Sequence, residues 1–395
     1  MNNYLKFNQK GYLTSNYFLM RAKLKRTTFR VTSYSIVDYV LAGVVLVLTL
    51  FGVIMVYNTS VIVAFEQFGD KFWFLKNQGV WASIGIATGF IVSNIDYHAL
   101  KKIAFPALVV TIVLLMFVFL PGFSQEVYGA TQRLYIPGIP FIGSISVQPS
   151  EIAKLTLVIY LAALFEAKQK IKSPNRIFFG VSGAILLLTA LEPDLGNAIL
   201  IASTALIVYF ASGAPLLTLF MVGGIGAFSA LLYAFSSDYR RERIFTFLNP
   251  LIDPQGVSYQ ISQIFIALGS GGLLGLGLGA SRQKYQYIPE VTTDSIFAVI
   301  GEELGFVGAI LIIAALCFIV WRGISIAQKA PDEFGRLLAI GITATIASQA
   351  IVNLGGMAGL IPLTGVPLPF ISYGGTSLTL LLISVGILLN ISRQQ

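Results

Sequence analysis

The chain has 395 residues, of which 56% are hydrophobic and only 11% are charged, and its mean hydropathy is +0.80. Soluble domains carry about 25% charged residues, so this composition excludes a soluble globular protein and predicts a membrane protein with many spans. Cys317 and His98 are the only residues of their types, which excludes an intramolecular disulfide and any metal or catalytic site built on several cysteines or histidines.

Basic residues cluster before the first apolar segment, and no acidic residue precedes Asp38. A basic arm before a first span is what the positive-inside rule predicts for a cytoplasmic N-terminus, and it also suits anionic lipid headgroups. We therefore attribute the net charge of +8 to membrane topology and expect no nucleic-acid partner. The basic residues of this arm, residues 1–35, are Lys6, Lys10, Arg21, Lys23, Lys25, Arg26 and Arg30.

Apolar segments follow one another along the rest of the chain. A helix needs about 20 mostly apolar residues to cross a bilayer, and this criterion predicts an all-α polytopic membrane protein with about ten transmembrane helices. They form a single transmembrane domain over residues 36–392. The predicted spans are 38–57, 79–94, 103–121, 150–166, 176–191, 196–212, 215–236, 295–321, 335–356 and 374–391.

Loop charges test this order of spans. With the N-terminus inside, three basic connections and the C-terminus fall on the cytoplasmic side, as the positive-inside rule requires. The basic residues concerned are Lys101, Lys102, Lys168, Lys170, Lys172, Arg176, Arg322, Lys329, Arg336 and Arg393.

The same order places the longest loop, 237–294, between the seventh and eighth spans on the extracytoplasmic side. Within it, residues 261–278 are apolar but interrupted by glycines. Non-helical backbone at membrane depth is tolerated only beside protein or a water-filled cavity, so we predict a re-entrant or interfacial segment that lines a cavity. The alternative is an eleventh, poorly formed span.

Asp294 stands where this polar loop meets the next apolar run. A carboxylate at that boundary is a functional candidate, although an alternative is that Asp294 caps a helix beginning at Ser295. Glu302 and Glu303 follow two turns later, and we expect this membrane-embedded acidic pair to face protein or water.

Two further charged groups stand at predicted helix starts. Glu151 and Lys154 are three residues apart and share one helix face, so they form either a polar wall for a substrate or a structural ion pair. Glu192 and Asp194 lie in a tight extracytoplasmic turn, and helix capping is the alternative role of Asp194.

A basic collar and a glycine-rich segment complete the candidate site. Arginines bind phosphate through two parallel hydrogen bonds, and as a set the collar suits a lipid-linked pyrophosphate, although solvation or lipid headgroups explain any single member. Residues 353–377 form a broken hairpin whose glycines allow close approach to a ligand or a neighbouring helix. The collar comprises Arg240, Arg241, Arg243, Arg282 and Lys284, and the hairpin contributes Ser372, Gly374 and Gly375 as substrate-binding candidates.

Several segments together resemble one family over about residues 36–392. They are MVYNTS, QPSEIAKL, YRRERIFTFLNPLIDPQGVSYQ, ALGSGGLLGLGLGASRQKYQYIPE, TDSIFAVIGEELGFVG and NLGGMAGLIPLTGVPLPFISYGGTS. Their order and wording resemble the SEDS family (shape, elongation, division and sporulation), and its division-type branch more than its elongation-type branch.

The resemblance implies a peptidoglycan glycosyltransferase of the bacterial plasma membrane, with an extracytoplasmic active site and both termini in the cytoplasm. Its implied ligands are lipid II and the nascent glycan strand, and its implied partners are a class B penicillin-binding transpeptidase and other divisome proteins. Asp294 takes the place of the family's catalytic aspartate, Glu151 and Lys154 match its QPSE-x-x-K charges, and Asp194 matches its P-D-L-G aspartate.

The chain departs from the family pattern in two places. The family commonly has Gly-Ala-x-Arg-Trp after the third span, whereas this chain has Leu134 in place of the tryptophan and keeps Arg133. Ser295 replaces a phenylalanine, and Thr292 replaces a histidine two residues before the aspartate.

Together these features predict that Asp294 is the general base for attack of a GlcNAc 4-hydroxyl on C1 of lipid-linked MurNAc, with inversion. No cofactor is assigned, and a divalent cation, Mg²⁺ or Mn²⁺, held by Asp294 and Asp194 is the candidate. The alternatives are a lipid II flippase, in which the charges line a translocation path, and a non-catalytic scaffold for the transpeptidase.

Overall fold

The computed structural model describes residues 37–120, 124–127, 130–139, 143–192, 194–235, 241, 245–249, 258–285 and 287–395. Residues 36–395 form one compact unit. The predicted basic arm, residues 1–35, lies outside the described residues.

Eleven α-helices and three strands are found in the described part of the chain. Ten of the helices follow the ten predicted spans in order, and six of them are long and apolar enough to cross a membrane by length and composition alone: α1, α3, α5, α9, α10 and α11. The elements are α1 (Tyr39–Phe68), α2 (Trp73–Ser93), α3 (His98–Phe117), β1 (Ser124–Val127), β2 (Ala130–Ile139), β3 (Gly143–Val147), α4 (Pro149–Glu166), α5 (Pro174–Leu191), α6 (Leu195–Ala211), α7 (Leu216–Ala234), α8 (Tyr259–Ser270), α9 (Ile296–Lys329), α10 (Glu333–Met357) and α11 (Gly375–Arg393).

The antiparallel sheet β1-β2-β3 corrects the all-α prediction. The sequence from Gly143 to Val147 alternates small polar and β-branched residues with a period of two, which is a strand signal. The sheet is tied to α11, since the Thr376 hydroxyl donates to the Ser146 carbonyl at 3.2 Å.

Helix α9 is broken at Gly305, where the backbone has φ 67° and ψ −167°. In an unbroken helix the N–H groups of residues 306 and 307 donate to the carbonyls four residues earlier. Here the loop that follows α8 takes over both partners of these two bonds. The four bonds are Phe306 N–H to Gly272 O at 2.9 Å, Val307 N–H to Leu273 O at 3.1 Å, Leu276 N–H to Glu302 O at 3.0 Å and Gly277 N–H to Glu303 O at 3.0 Å.

The glycine-broken segment 261–278 is therefore a short helix followed by a glycine loop. Helix α8 has 12 residues and is about 18 Å long, which is too short to cross about 30 Å of hydrocarbon. The structure thus favours the re-entrant or interfacial prediction over an eleventh span. Glycine is required at Gly275, where φ is 81° and an added Cβ would lie 2.1 Å from the Glu303 carbonyl oxygen.

We predict that Gly305→Ala destabilises the protein strongly. Its positive φ costs a side chain about 1–3 kcal/mol, and the new Cβ would lie 2.3 Å from the Gly275 nitrogen. Gly43→Ala is the matched control, because nothing lies within 4 Å of that Cβ and alanine is favoured over glycine in a helix by about 0.5–1 kcal/mol. Thermal unfolding in detergent should show a lower midpoint for Gly305→Ala only, and equal midpoints would contradict the assigned break.

Candidate active site

Asp294 lies at the start of α9 and is only 7% exposed. The helix begins at Ile296, so the N-cap position belongs to Ser295 and not to Asp294. The Ser295 hydroxyl donates to Asp294 Oδ1 at 3.3 Å, and Gln260 Nε2 of α8 donates to the Ser295 hydroxyl, also at 3.3 Å. Helix α8 therefore reaches the carboxylate through one intermediate side chain.

The backbone around Asp294 is fixed by α10 and the segment after it. Asn353 Nδ2 donates to the Asp294 carbonyl at 2.8 Å and to the Val366 carbonyl at 2.8 Å. The Tyr373 N–H donates to the Thr292 carbonyl, also at 2.8 Å. The carboxylate is thus attached to a main chain that is held from two sides.

The predicted broken hairpin makes most of its polar contacts within itself and with α2. The Ser372 hydroxyl accepts from the Leu368 N–H at 2.8 Å, and the Gln78 amide bonds both to the Ser372 carbonyl and to the Gly374 N–H. A Cβ on Gly375 would lie 2.4 Å from the Trp81 indole nitrogen. These contacts explain the residues structurally, and substrate binding by Ser372, Gly374 and Gly375 stays a prediction.

Glu151 and Lys154 form a buried ion pair at 2.7 Å on the face of α4 predicted from their spacing. They line a cavity with an empty volume of about 310 Å³, open solvent included, between α4, α10 and α11. Gln349 Oε1 and the Ser377 hydroxyl also line this cavity, and neither atom has a hydrogen-bond partner among the described residues. The cavity wall therefore offers a charged pair and free polar atoms to a ligand.

Asp194 occupies the N-cap position of α6, as the capping alternative predicts. Its Oδ1 accepts from the Asn197 N–H at 3.0 Å, and its Oδ2 accepts from the Gln148, Ser150 and Asn197 side chains at 3.0, 3.4 and 2.8 Å. Four donors leave little room for a cation on these oxygens. Among the described residues no group of three or more His, Cys, Asp or Glu side chains that could hold a metal ion is found, and a divalent cation at Asp294 and Asp194 stays a prediction.

Asp194 and Asp294 are nevertheless joined by one segment. A Cβ on Gly196 would lie 2.7 Å from both the Thr364 carbonyl oxygen and a methyl group of Val366, and the Val366 carbonyl shares the Asn353 amide with Asp294. The segment after α10 thus packs against both acidic positions.

Glu192, in the turn before α6, is fully buried, and neither of its carboxyl oxygens has a partner among the described residues. Burial, assisted by the charge of Asp194, raises the pKa of Glu192 from 4.5 to about 9. It is therefore a neutral acid near pH 7.

The residues of the predicted basic collar differ in their exposure. Arg133, on β2, and Arg241 and Arg282 have exposed side chains, whereas Lys284 is buried at 7% exposure. Lys284 Nζ donates to Asn58 Oδ1, Gly279 O and Glu303 Oε1 at 2.9, 2.7 and 3.2 Å. An ammonium has three donors, and all three are used within the protein. Arg240 and Arg243 lie outside the described residues.

Polar contacts between helices define two levels across the bundle. Asp38 pairs with Arg322 at 2.7 Å at one level, and Asn58 bonds to Glu303 at the other. About 20 residues, or roughly 30 Å of helix, separate the two levels along both α1 and α9, which matches the hydrocarbon thickness of about 30 Å. Glu302 and Glu303 are 1% and 0% exposed and bond to neighbouring groups of the protein, as expected for an acidic pair that faces protein or water.

Asp294 lies toward the same end of the bundle as Glu303. Its carbonyl is bound by Asn353, which stands about 20 residues, or roughly 30 Å, along α10 from Asp332. Asp332 accepts from the Tyr97 hydroxyl at the opposite level. The candidate site thus lies toward one end of the helix bundle, opposite to Asp332.

Comparison with known proteins identifies the family of this chain. The model of the FtsW/RodA/SpoVE family, described as "Cell cycle protein", matches residues 38–395. The chain belongs to this family. That is the SEDS family expected from the sequence motifs.

Individual relatives cover nearly the whole chain. Stage V sporulation protein E of Bacillus subtilis is 41% identical over 360 residues, which are 90% of this chain and 97% of that protein. A probable peptidoglycan glycosyltransferase FtsW of Geobacter metallireducens is 41% identical over 366 residues, which are 90% of this chain and 95% of the relative.

A solved structure shares the fold. One chain of a peptidoglycan synthase complex, solved to explain how polymerisation and crosslinking are coordinated, superposes with a TM-score of 0.72 at 26% identity. The match covers 90% of this chain and 97% of the other. The polytopic membrane fold predicted from the sequence is therefore confirmed, apart from the small sheet.

We predict that Glu151 and Lys154 are coupled in stability. Removing one partner leaves a buried unpaired charge and costs about 3–5 kcal/mol, so Glu151→Gln and Lys154→Met should each lower the thermal midpoint. The double variant should be more stable than either single variant, because no charge is left unpaired. Glu333→Gln, which breaks a partly exposed pair of the same spacing at 2.7 Å, should change the midpoint less. Additive effects at Glu151 and Lys154 would contradict the pairing.

We predict that Glu192→Gln makes stability less dependent on pH. The folded-state pKa is raised, so between pH 4.5 and about 9 the unfolded chain releases a proton that the folded chain keeps, and stability falls as pH rises. Glu192→Gln should therefore be more stable than wild type at pH 8 and similar to it near pH 4.5. Thermal midpoints would be measured across this pH range, with Asp70→Asn as the control. The same pH dependence in wild type and Glu192→Gln would refute the assignment.

Proposed function

We propose that this protein is a peptidoglycan glycosyltransferase that polymerises lipid II into glycan strands. One observation carries the proposal: a buried carboxylate, Asp294, stands at the boundary of α9, a helix apolar enough to span a membrane, on a main chain fixed from two sides. A relative 41% identical over 366 residues bears the name peptidoglycan glycosyltransferase. A base at this boundary can meet a sugar in water while the lipid tail of the substrate stays in the bilayer.

In the proposed reaction Asp294 accepts the proton of the GlcNAc 4-hydroxyl as that oxygen attacks C1 of MurNAc. A C1–O4 bond forms, the bond from C1 to the pyrophosphate oxygen breaks with inversion, and undecaprenyl pyrophosphate leaves. General-base catalysis contributes about 10²–10⁴-fold in such steps. The backbone contacts of Asp294 keep its carboxylate in place without reorganisation during the reaction.

Exposed arginines are suited to the pyrophosphate leaving group. Arg241 and Arg282 present their guanidinium groups to solvent, and such groups bind phosphate through two hydrogen bonds and stabilise developing negative charge. Arg133 is exposed on the sheet and is a candidate for the same substrate. Lys284 has no hydrogen-bond donor left for the pyrophosphate, so we do not propose that it binds the substrate.

The Glu151–Lys154 cavity is the proposed binding place for another polar part of the substrate. Its buried charged pair, together with two polar atoms that have no partner among the described residues, suits recognition of polar groups.

Charge distribution supports an orientation. Arg322 lies at the level opposite to Asp294, and Lys101, Lys168 and Arg336 pair with groups at helix ends on the Arg322 side. By the positive-inside rule that level is cytoplasmic. We therefore place Asp294 on the extracytoplasmic face of the bacterial plasma membrane and both termini in the cytoplasm.

A crosslinking partner is part of the proposal. The similar solved chain belongs to a complex that coordinates polymerisation and crosslinking. We propose that a class B penicillin-binding transpeptidase fills the crosslinking role here, together with other divisome proteins, and that the product is the nascent strand it acts on.

We predict that Asp294→Asn abolishes polymerisation of lipid II. The protein would be purified with its cognate transpeptidase, with crosslinking blocked by an antibiotic, and glycan strands would be resolved by length. The amide keeps the shape of the carboxylate but cannot accept the proton, so the rate should fall by about 10²-fold or more. Asp70→Asn, an exposed carboxylate at the end of α1, is the matched control and should polymerise like wild type.

The other outcomes separate the alternatives. Equal polymerisation by Asp294→Asn would remove Asp294 from the mechanism. Absence of polymer from wild type, with transfer of lipid II between the leaflets of liposomes intact, would support the flippase. Absence of both activities would support the scaffold.

A further inference from the structure

We propose that Glu302, Glu303, Lys284 and Asn58 are positioning residues that hold Asp294 in place for the transfer reaction. We call this group the polar bracket. The inference rests on the proposed function, because it assigns these residues a role in the turnover that Asp294 carries out.

Glu302 binds the loop that follows α8. Its carboxylate accepts from the Ser281 hydroxyl, from the Arg282 N–H at 3.1 Å and from the Gln283 N–H at 3.4 Å. Successive backbone N–H groups that converge on one anion form a compact and directional binding site. Glu302 is 1% exposed, so this carboxylate is committed to the loop and not to a substrate.

Glu303 joins three separate parts of the chain. It is fully buried and accepts from the Ser281 N–H at 3.2 Å, from Lys284 Nζ at 3.2 Å and from the Asn58 side-chain amide. Lys284 Nζ closes the triangle by donating to Asn58 Oδ1 at 2.9 Å. Helix α1, the loop and the first part of α9 are thereby bound to one another.

The break at Gly305 makes this bracket necessary. An unbroken α9 would set the direction of its first turns through its own hydrogen bonds, but the ladder is interrupted and residues 296–304 form a separate half-helix. This half-helix is about 13 Å long and carries Asp294 at its free end. Its orientation must come from contacts with neighbours, which the polar bracket supplies at one end and Asn353 and Tyr373 supply at the other.

A buried ion pair is weak support for stability, since desolvation offsets much of its attraction. Holding the Asp294 carboxylate in a fixed position affects the reaction rate and not the free energy of unfolding. A displacement of about 1 Å can cost about 10²-fold in rate even when the substituted residue is remote from the chemistry. The polar bracket should therefore affect turnover more than substrate affinity.

The test uses Glu303→Gln, Lys284→Met and the double variant in the full-length protein with its transpeptidase, in the polymerisation assay used for Asp294→Asn. Each single variant should lower kcat by about 10²-fold and leave KM for lipid II within about twofold. The double variant should be no slower than the singles, because residues in one network are not additive. Lys284→Arg, which keeps the charge and its donors, should recover most of the activity.

The exposed pair Lys76–Asp70, at 2.7 Å after α1, gives the matched controls Lys76→Met and Asp70→Asn, which should behave like wild type. The elution profile and the thermal midpoint establish that each variant is folded. Asn58→Ala removes two hydrogen bonds of the polar bracket without altering a charge. An unchanged kcat, additive losses, or a raised KM with normal kcat would each overturn the inference. Failure of every variant to fold would also overturn it, because the bracket would then be a folding element.

The result is separable from that of the proposed function. If the wild-type protein makes no polymer, the proposed function fails. If the wild type polymerises lipid II and the bracket variants do so equally well, only the positioning role fails.

Discussion

The interruption of α9 at Gly305 is the constraint on which the site depends. The break separates residues 296–304, a half-helix of about 13 Å that directly follows Asp294, from the rest of α9. The direction of this half-helix is therefore set by neighbours such as Asn353, which donates to the Asp294 carbonyl at 2.8 Å. Such a break at a membrane boundary is stable only when its free backbone groups find partners, and the glycine loop supplies four of them. The loop and the break therefore depend on each other.

Charged residues of similar appearance in the sequence take different roles because their surroundings differ. Arg282 and Lys284 are two residues apart, yet the first is exposed and the second is buried against Glu303. Glu151 is paired with Lys154, Asp194 is bound by a set of hydrogen-bond donors, and Glu192 keeps its proton. Burial of a charge requires one of these solutions. Exposed charges at the Asp294 level are the ones left for a substrate.

The sequence predicted features that depend on local pattern. Ten apolar runs gave ten helices in order, the three-residue spacing gave the Glu151–Lys154 pair, and Asp294 was found from its place at a polarity boundary. The sheet was missed because its alternating segment is short and lies between longer signals. The polar bracket could not be predicted, since Asn58 and Glu303 are 245 positions apart and Asn58 and Lys284 are 226 apart. Only the folded chain brings them together.

The departures from the family pattern occur where the structure needs little from the replaced side chains. At Thr292 the contact that matters is made by the backbone carbonyl, which accepts from the Tyr373 N–H, so the loss of a histidine leaves it intact. Leu134 pairs through its backbone with both neighbouring strands. Ser295 differs, because its hydroxyl donates to Asp294 and accepts from Gln260. A phenylalanine could do neither, so this chain orients its carboxylate through a contact that the common family residue cannot make.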